Sequence, residues 1–267
     1  MKLLTDEQAR EFLDRPDVKG LQWYHRIPVS ENVATPANHL KPNHTAANNP
    51  YLGTWREIEA LMHTVEFTGK SAIDVGCRDG KFSFLAESLE AVAVDAIDND
   101  LMPGSELLAR RLQSLVVFRK QSIYDITGNY DIVMAFGLLY HLRFPFLGLS
   151  KLADSLKPSG TLLLETAVLT GTMVDAKYPV LYCPVDDSPF EATSCSFFNI
   201  AGLITTLKSL GLTVKEHRLC GWPAGNAQNK VERALFKCVK TGDKFLPDYW
   251  HGTHTRHSRN QVDPHKP

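Results

Sequence analysis

The sequence predicts an α/β fold built on a mostly parallel sheet, with an antiparallel strand pair at its C-terminal end. Three observations predict it. From residue 55 onward, apolar runs of strand length alternate with segments of helical period. Those strands are apolar throughout rather than alternating, as strands covered on both faces are. The last two strand-like runs, "LTVKEHRL" and "VERALFKCVK", are joined by a loop with no helix between them, which pairs them antiparallel.

The elements follow in order. Residues 5–14 read as a short helix, with Thr5 as cap and Gln8 placed to complete a capping box. A polar, Asn-, Pro- and His-rich stretch with interspersed Trp and Tyr then runs to residue 54. A polar stretch of this length inside a compact chain is uncommon and often functional, and its composition suggests an irregular segment lying over something. "TWREIEALMHTV" is helical, "SAIDVG" a strand, "GKFSFLAESL" a helix, "AVAVDA" a strand, "GSELLARRLQ" a helix and "LVVF" a strand. "YDIVMAFGLLYH" is a long strand ending in a loop. The helix of "PFLGLSKLADSLKP" is stopped by Pro158 and Gly160, and "GTLLLETAV" is the fifth strand. "SFFNIAGLITTLKSLG" is a helix closing at Gly211. The boundaries expected are residues 1–54 for the N-terminal helix and lid-like segment, 55–240 for the main domain and 241–267 for a polar tail. His251, His254 and His257 in that tail could chelate a metal, but a loose surface tail is the simpler reading, and no metal is expected.

Composition limits the function. The chain has 267 residues, 43% hydrophobic and 22% charged, with a formal net charge of -1. A core can be buried, and no global charge draws the chain to nucleic acid or to an anionic membrane. The five cysteines form no C-x-x-C pair, which suits reduced thiols. The N-terminus lacks the pattern of a secretory signal, and no run is long enough to span a bilayer, so a cytoplasmic protein without a membrane partner is expected.

The turn after the first strand, Asp74-Val75-Gly76-Cys77-Arg78-Asp79-Gly80, carries the chemistry. It lacks the G-x-G-x-x-G trio of dinucleotide sites and the spacing of a P-loop. It reads D-x-G-x-x-x-G, followed one strand later by Asp95. An acid there can accept hydrogen bonds from ribose hydroxyls. Gly76 lets a ligand approach the backbone, and Asp74 can face an ammonium group. An adenosine carrying an amino acid fits better than a phosphate ligand.

Asp74, Gly76, Gly80 and Asp95 in this βα series resemble the class I S-adenosylmethionine (SAM)-dependent methyltransferases, over residues 55–240. The resemblance implies a Rossmann-like sheet, Gly76 against the methionine part, Asp95 on the ribose, and Ser122 and Ile123 of "KQSIYD" at the adenine. The chain departs from many members at Arg78, where they carry Gly. Gly137, Tyr140, His141, Pro145, Gly160 and Leu164-Glu165-Thr166 resemble the family of tRNA wobble-uridine carboxymethyltransferases. That likeness implies a possible carboxylated donor, carboxy-SAM, held by a Lys, a Tyr and an Arg, which map to Lys41, Tyr140 and Arg233. Plain SAM is the favoured donor. Trp55 is expected near the base of the lid, with Trp23 and Tyr24 either in it or anchoring it.

A small-molecule acceptor, such as a sugar or another metabolite hydroxyl, is favoured over tRNA, because no basic run is present to neutralise phosphates. His141, at the end of the fourth strand, is the first candidate general base and His25 the second. Packing beside Tyr140 is an alternative role for His141. Asp186, Asp187 and Glu191 only weakly resemble a metal cluster. A SAM-binding module without catalysis is the rival class, and the oligomeric state is left open.

Overall fold

The computed structural model describes residues 1–242. Its centre is a seven-stranded sheet of order β3-β2-β1-β4-β5-β9-β8. The strands are β1 (Ser71–Val75), β2 (Ala93–Asp98), β3 (Val116–Lys120), β4 (Tyr130–Phe136), β5 (Leu156–Leu169), β8 (Leu212–Ala224) and β9 (Val231–Lys240). β1 to β5 pair in parallel, whereas β9 runs antiparallel to both β5 and β8. The expected sheet is therefore present. Strand order reverses between β1 and β4, and the carboxyl ends there are where open α/β sheets bind ligands.

Period-two alternation sends each strand into two cores. Ala72, Ile132, Met134, Leu163 and Leu235 join one apolar cluster, which also holds helices α1 (Asp6–Asp14), α2 (Pro50–Met62), α3 (Lys81–Ser88) and α4 (Pro103–Arg111). Ile73, Val133, Ala135, Leu164 and Phe236 join the other, with α5 (Pro145–Asp154) and α6 (Ile200–Ser209). The capping box on α1 forms as expected between Thr5 and Gln8.

Several boundaries differ from those expected. α2 begins at Pro50, because Asn49 accepts from Tyr51 N and Leu52 N and a proline suits the first helical position. β5 begins at Leu156 and runs through Pro158 and Gly160, because Leu156 pairs with Tyr130 ahead of a register shift. β2 runs on to Asp98, past Asp95. The insertion after β5 contributes a small antiparallel pair, β6 (Leu181–Tyr182) and β7 (Phe197–Phe198), that had no signal in the sequence. Trp23, Ile27 and Val29 of the N-terminal segment are buried in the first core. Trp23 lies so close to Gly104 that a Cβ there would stand 2.6 Å from its ring, so Trp23 anchors the segment. No helix among the described residues is long and apolar enough to cross a membrane. The three tail histidines lie outside the described residues.

Candidate active site

A cavity of about 670 Å³ opens at the carboxyl ends of β1 and β4. β1 delivers Asp74 and then Gly76. Gly76 takes a φ of +79°, and its N–H donates to Ile97 O at 2.8 Å. A Cβ there would meet Leu138 at 3.2 Å, so glycine serves both the left-handed turn and the close approach. Gly80 caps α3 at φ +87° but does not line the cavity. Its hydrogen side faces Phe118, whose ring would lie 2.4 Å from a Cβ. Gly80 is thus a packing and turn residue.

Asp74 is buried and accepts from Ser83 Oγ at 2.6 Å. Burial pushes its carboxyl up to about 7, against the Ser83 hydrogen bond and with help from the Asp98 and Asp79 carboxylates.

Asp95 is a correction. Its carboxylate accepts from Tyr130 Oη at 2.6 Å and pairs with Arg119 at 2.7 Å, and it does not line the cavity. It sits in register with Ile73, in the middle of the sheet rather than at its edge. The acid at the end of β2 is Asp98, which does line the cavity. Asp98 accepts from Arg78 N at 2.9 Å and Asp100 N at 2.8 Å. Arg78 occupies a left-handed position at φ +54° and turns its guanidinium to Asp100 at 2.7 Å, so the missing glycine is tolerated.

Ser122 and Ile123 also fall outside the cavity lining. Ser122 caps a 3-10 turn by accepting from Tyr124 N, and Ile123 is buried against α5, where a Cβ on Gly148 would stand 3.4 Å from it. Lys41 is exposed, in a loop away from the cavity, so the Lys-Tyr-Arg set is not assembled. Trp55 is buried and lines the cavity, as do Gly137, Tyr140, His141 and Arg233.

At the end of β4, Gly137 N donates to the carboxylate of Glu165 at 2.9 Å. Glu165, fully buried on β5, also takes two hydrogen bonds from the Arg233 guanidinium on β9. Arg233 Nη1 donates to Tyr140 Oη at 3.0 Å. Burial works against the Arg233 charge, but Glu165 outweighs it and raises the guanidinium well above its ordinary value. Burial likewise raises the Tyr140 phenol. The cation that a carboxylated donor would need is already neutralised by an acid.

Glu165, Phe190 and Glu191 line the cavity and Asp79 holds the lining residue His25, yet none of the four was assigned to the sequence-based site. Glu165 appeared there only as part of a motif; its signal was a charge inside an apolar strand. Asp79 is buried and accepts from Tyr24 N and His25 N, both at 2.7 Å, and from His25 Nδ1. Burial would raise its carboxyl, but His25 and the two backbone donors hold it below its ordinary value. Phe190 and Glu191 arrive from the insertion, with Glu191 Oε2 3.6 Å from His141 Nε2. His141 Nδ1 stands 3.2 Å from both Thr193 O and Thr193 Oγ1. Asp186 and Asp187 are not at the cavity, and no cluster of three metal-ligating side chains occurs among the described residues.

A family model described as a methyltransferase domain matches residues 51–217. The chain belongs to the methyltransferase-domain family. The resemblance to class I SAM-dependent methyltransferases, read from the Asp74 turn, is met by this match and by the sheet. A tRNA U34 carboxymethyltransferase of Desulfotalea psychrophila is 28% identical over 152 residues, covering 54% of this chain and 47% of that protein. One from Nautilia profundicola is 24% identical, covering 72% of this chain and 69% of its own length. The chain thus spans about half the length of the first relative. The magnesium protoporphyrin IX methyltransferase of Synechocystis PCC 6803, solved with SAM bound, superposes with a TM-score of 0.54 at 15% identity, over 76% of this chain and 86% of that one. At that identity the likeness is one of fold.

Proposed function

We propose that the chain transfers a methyl group from plain SAM to a hydroxyl of a small molecule. One observation carries this reading: Arg233, a cation lining the cavity, donates through Nε and Nη2 to the two oxygens of the buried carboxylate of Glu165. A guanidinium already paired with a carboxylate leaves little attraction for an additional carboxylate on the donor, and Lys41 is not part of the lining. The other arginine at the cavity, Arg78, is paired with Asp100. Asp74, Asp98 and Glu191 make the remaining charged lining acidic, which suits neither tRNA phosphates nor a carboxylated donor.

The residues present fit SAM. Gly76 offers a backbone cradle that a Cβ would fill. Asp74, a buried carboxyl without a cationic partner among the described residues, gains one from the amino-acid ammonium of the donor. Asp98 takes the ribose role expected of Asp95, and Gly137 and Tyr140 border the amino-acid end. SAM supplies an electrophilic methyl on a good leaving group, so the protein's main task is to position the acceptor and remove its proton. Two imidazoles line the cavity for that proton, His141 and His25.

A second reading, modification of a tRNA wobble uridine, is favoured by the names of the relatives and by the Arg233–Tyr140 contact. The two are separated by incubating the protein with methyl-labelled SAM and either bulk tRNA or a protein-free small-molecule extract. Label is expected in the small-molecule fraction. Label in tRNA would overturn the assignment, and binding of S-adenosylhomocysteine (SAH) without label in either would favour a non-catalytic module.

A further inference from the structure

The N-terminal segment is hydrogen-bonded to the donor turn at Asp79. Asp79 lies between the two turn glycines, and its carboxylate receives Tyr24 N, His25 N and His25 Nδ1. With both Asp79 oxygens occupied and its charge held, the His25 ring is locked by one nitrogen. Nδ1 is the donor in the neutral imidazole, because a carboxylate only accepts. The remaining nitrogen, Nε2, has no partner among the described residues, and His25 lines the cavity. A buried carboxylate fixing Nδ1–H while Nε2 faces a reactant is the arrangement by which serine hydrolases orient a base. His141 is less well held. Its side chain is 31% exposed against 7% for His25, and its acid, Glu191, stands 3.6 Å away on the Nε2 side.

The surroundings of His25 are rings. Its centroid is 4.6 Å from that of Trp55 and 5.4 Å from that of Phe82. Tyr24 packs edgewise on Trp55 and Tyr51, and all of these line the cavity. An aromatic ring packs on such a wall. Acidity points the same way. A phenol near pKa ~10 lies roughly 3.5 above an imidazole at ~6.5, a gap a carboxylate-supported base can bridge in a transition state.

We propose that the Asp79–His25 pair is the base for methyl transfer to an aromatic hydroxyl seated against Tyr24, Tyr51 and Trp55. The phenolic proton passes to His25 Nε2 as an oxygen electron pair forms the bond to the methyl carbon. The carbon–sulfur bond breaks with its pair returning to sulfur, and the imidazolium is held by Asp79. This rests on the methyl-transfer reading above.

The test uses the full chain as wild type, D79N, H25Q and H141Q, with catechol as the aromatic probe and myo-inositol as the aliphatic one. Calorimetry first measures SAH binding, and nitrogen NMR of the SAH-loaded protein then follows the His25 ring during catechol addition. We expect every variant to bind SAH within about threefold of wild type. We expect catechol to shift the His25 Nε2 signal in wild type, and transfer to catechol to fall by ~10²-fold or more in H25Q, by less in D79N, and by under tenfold in H141Q. Absence of SAH binding in wild type would overturn the methyl-transfer reading itself. SAH binding with no catechol shift at Nε2, or catechol bound but not methylated, would overturn only the present inference. Transfer to myo-inositol in preference to catechol, or a larger loss in H141Q than in H25Q, would do the same.

Discussion

Asp74 should set a pH dependence of stability that one substitution removes. Its carboxyl is raised from 3.8 to about 7, chiefly by burial. Between those values the unfolded chain loses the proton while the native chain keeps it. The native state then binds more protons, so stability falls as pH rises through that window, and the loss is complete above about 7. At about 1.36 kcal/mol for each pH unit, the rise amounts to about 4 kcal/mol at most. D74N keeps an oxygen to accept from Ser83 Oγ, which lies 2.6 Å from Asp74 Oδ2, and it has no charge to desolvate. Urea unfolding at pH 5 and pH 8 should show D74N gaining about 2–3 kcal/mol on wild type between the two. Taking the difference between the proteins at each pH removes the titration of all other groups. An ammonium-bearing ligand reverses the penalty, so SAH should bind wild type more tightly at pH 8 than at pH 6, and D74N almost equally at both. A stability difference that is the same at pH 5 and pH 8 would refute the reasoning.

Asp98→Ala should weaken SAH binding by about 1–3 kcal/mol, while Asp95→Ala should leave SAH affinity unchanged in the same calorimetric titration. Gly80→Ala should lower stability by about 2 kcal/mol or more, read as a fall in Tm, because it combines a left-handed backbone with a 2.4 Å approach to Phe118. Arg233→Leu should cost about 3–5 kcal/mol by stranding Glu165. The double variant R233L/E165Q should recover part of that loss in chemical denaturation.

The sheet was legible because its strands are apolar runs between helical periods, and the antiparallel end because no helix separates its strands. The Asp74–Gly76 corner was legible because backbone chemistry at a strand end constrains residue type locally, whereas the Tyr140 loop was found by resemblance. Asp95 misled for a physical reason. An acid after "VAV" reads as a strand end, but Ala96 and Ile97 are buried and carry β2 on, and Arg119 and Tyr130 accommodate the charge inside the sheet. Lys41 was placed by resemblance alone, in a loop where nothing in the local pattern fixes direction. The partnerships of Glu165 with Arg233 and of Asp79 with His25 join residues 68 and 54 positions apart. No period or spacing reports contacts of that range. Their only trace was the charge in an apolar strand and the acid between two turn glycines. Phe190 and Glu191 reach the cavity from an irregular insertion, which carries no repeat to read.

The Glu165–Arg233 ion pair should make the cavity prefer a plain sulfonium donor over a carboxylated one. Competitive calorimetry of SAM and carboxy-SAM against SAH on the purified chain tests it most directly. SAM is expected to displace SAH and carboxy-SAM to bind more weakly. Tighter binding of carboxy-SAM, or binding of neither, would contradict the account.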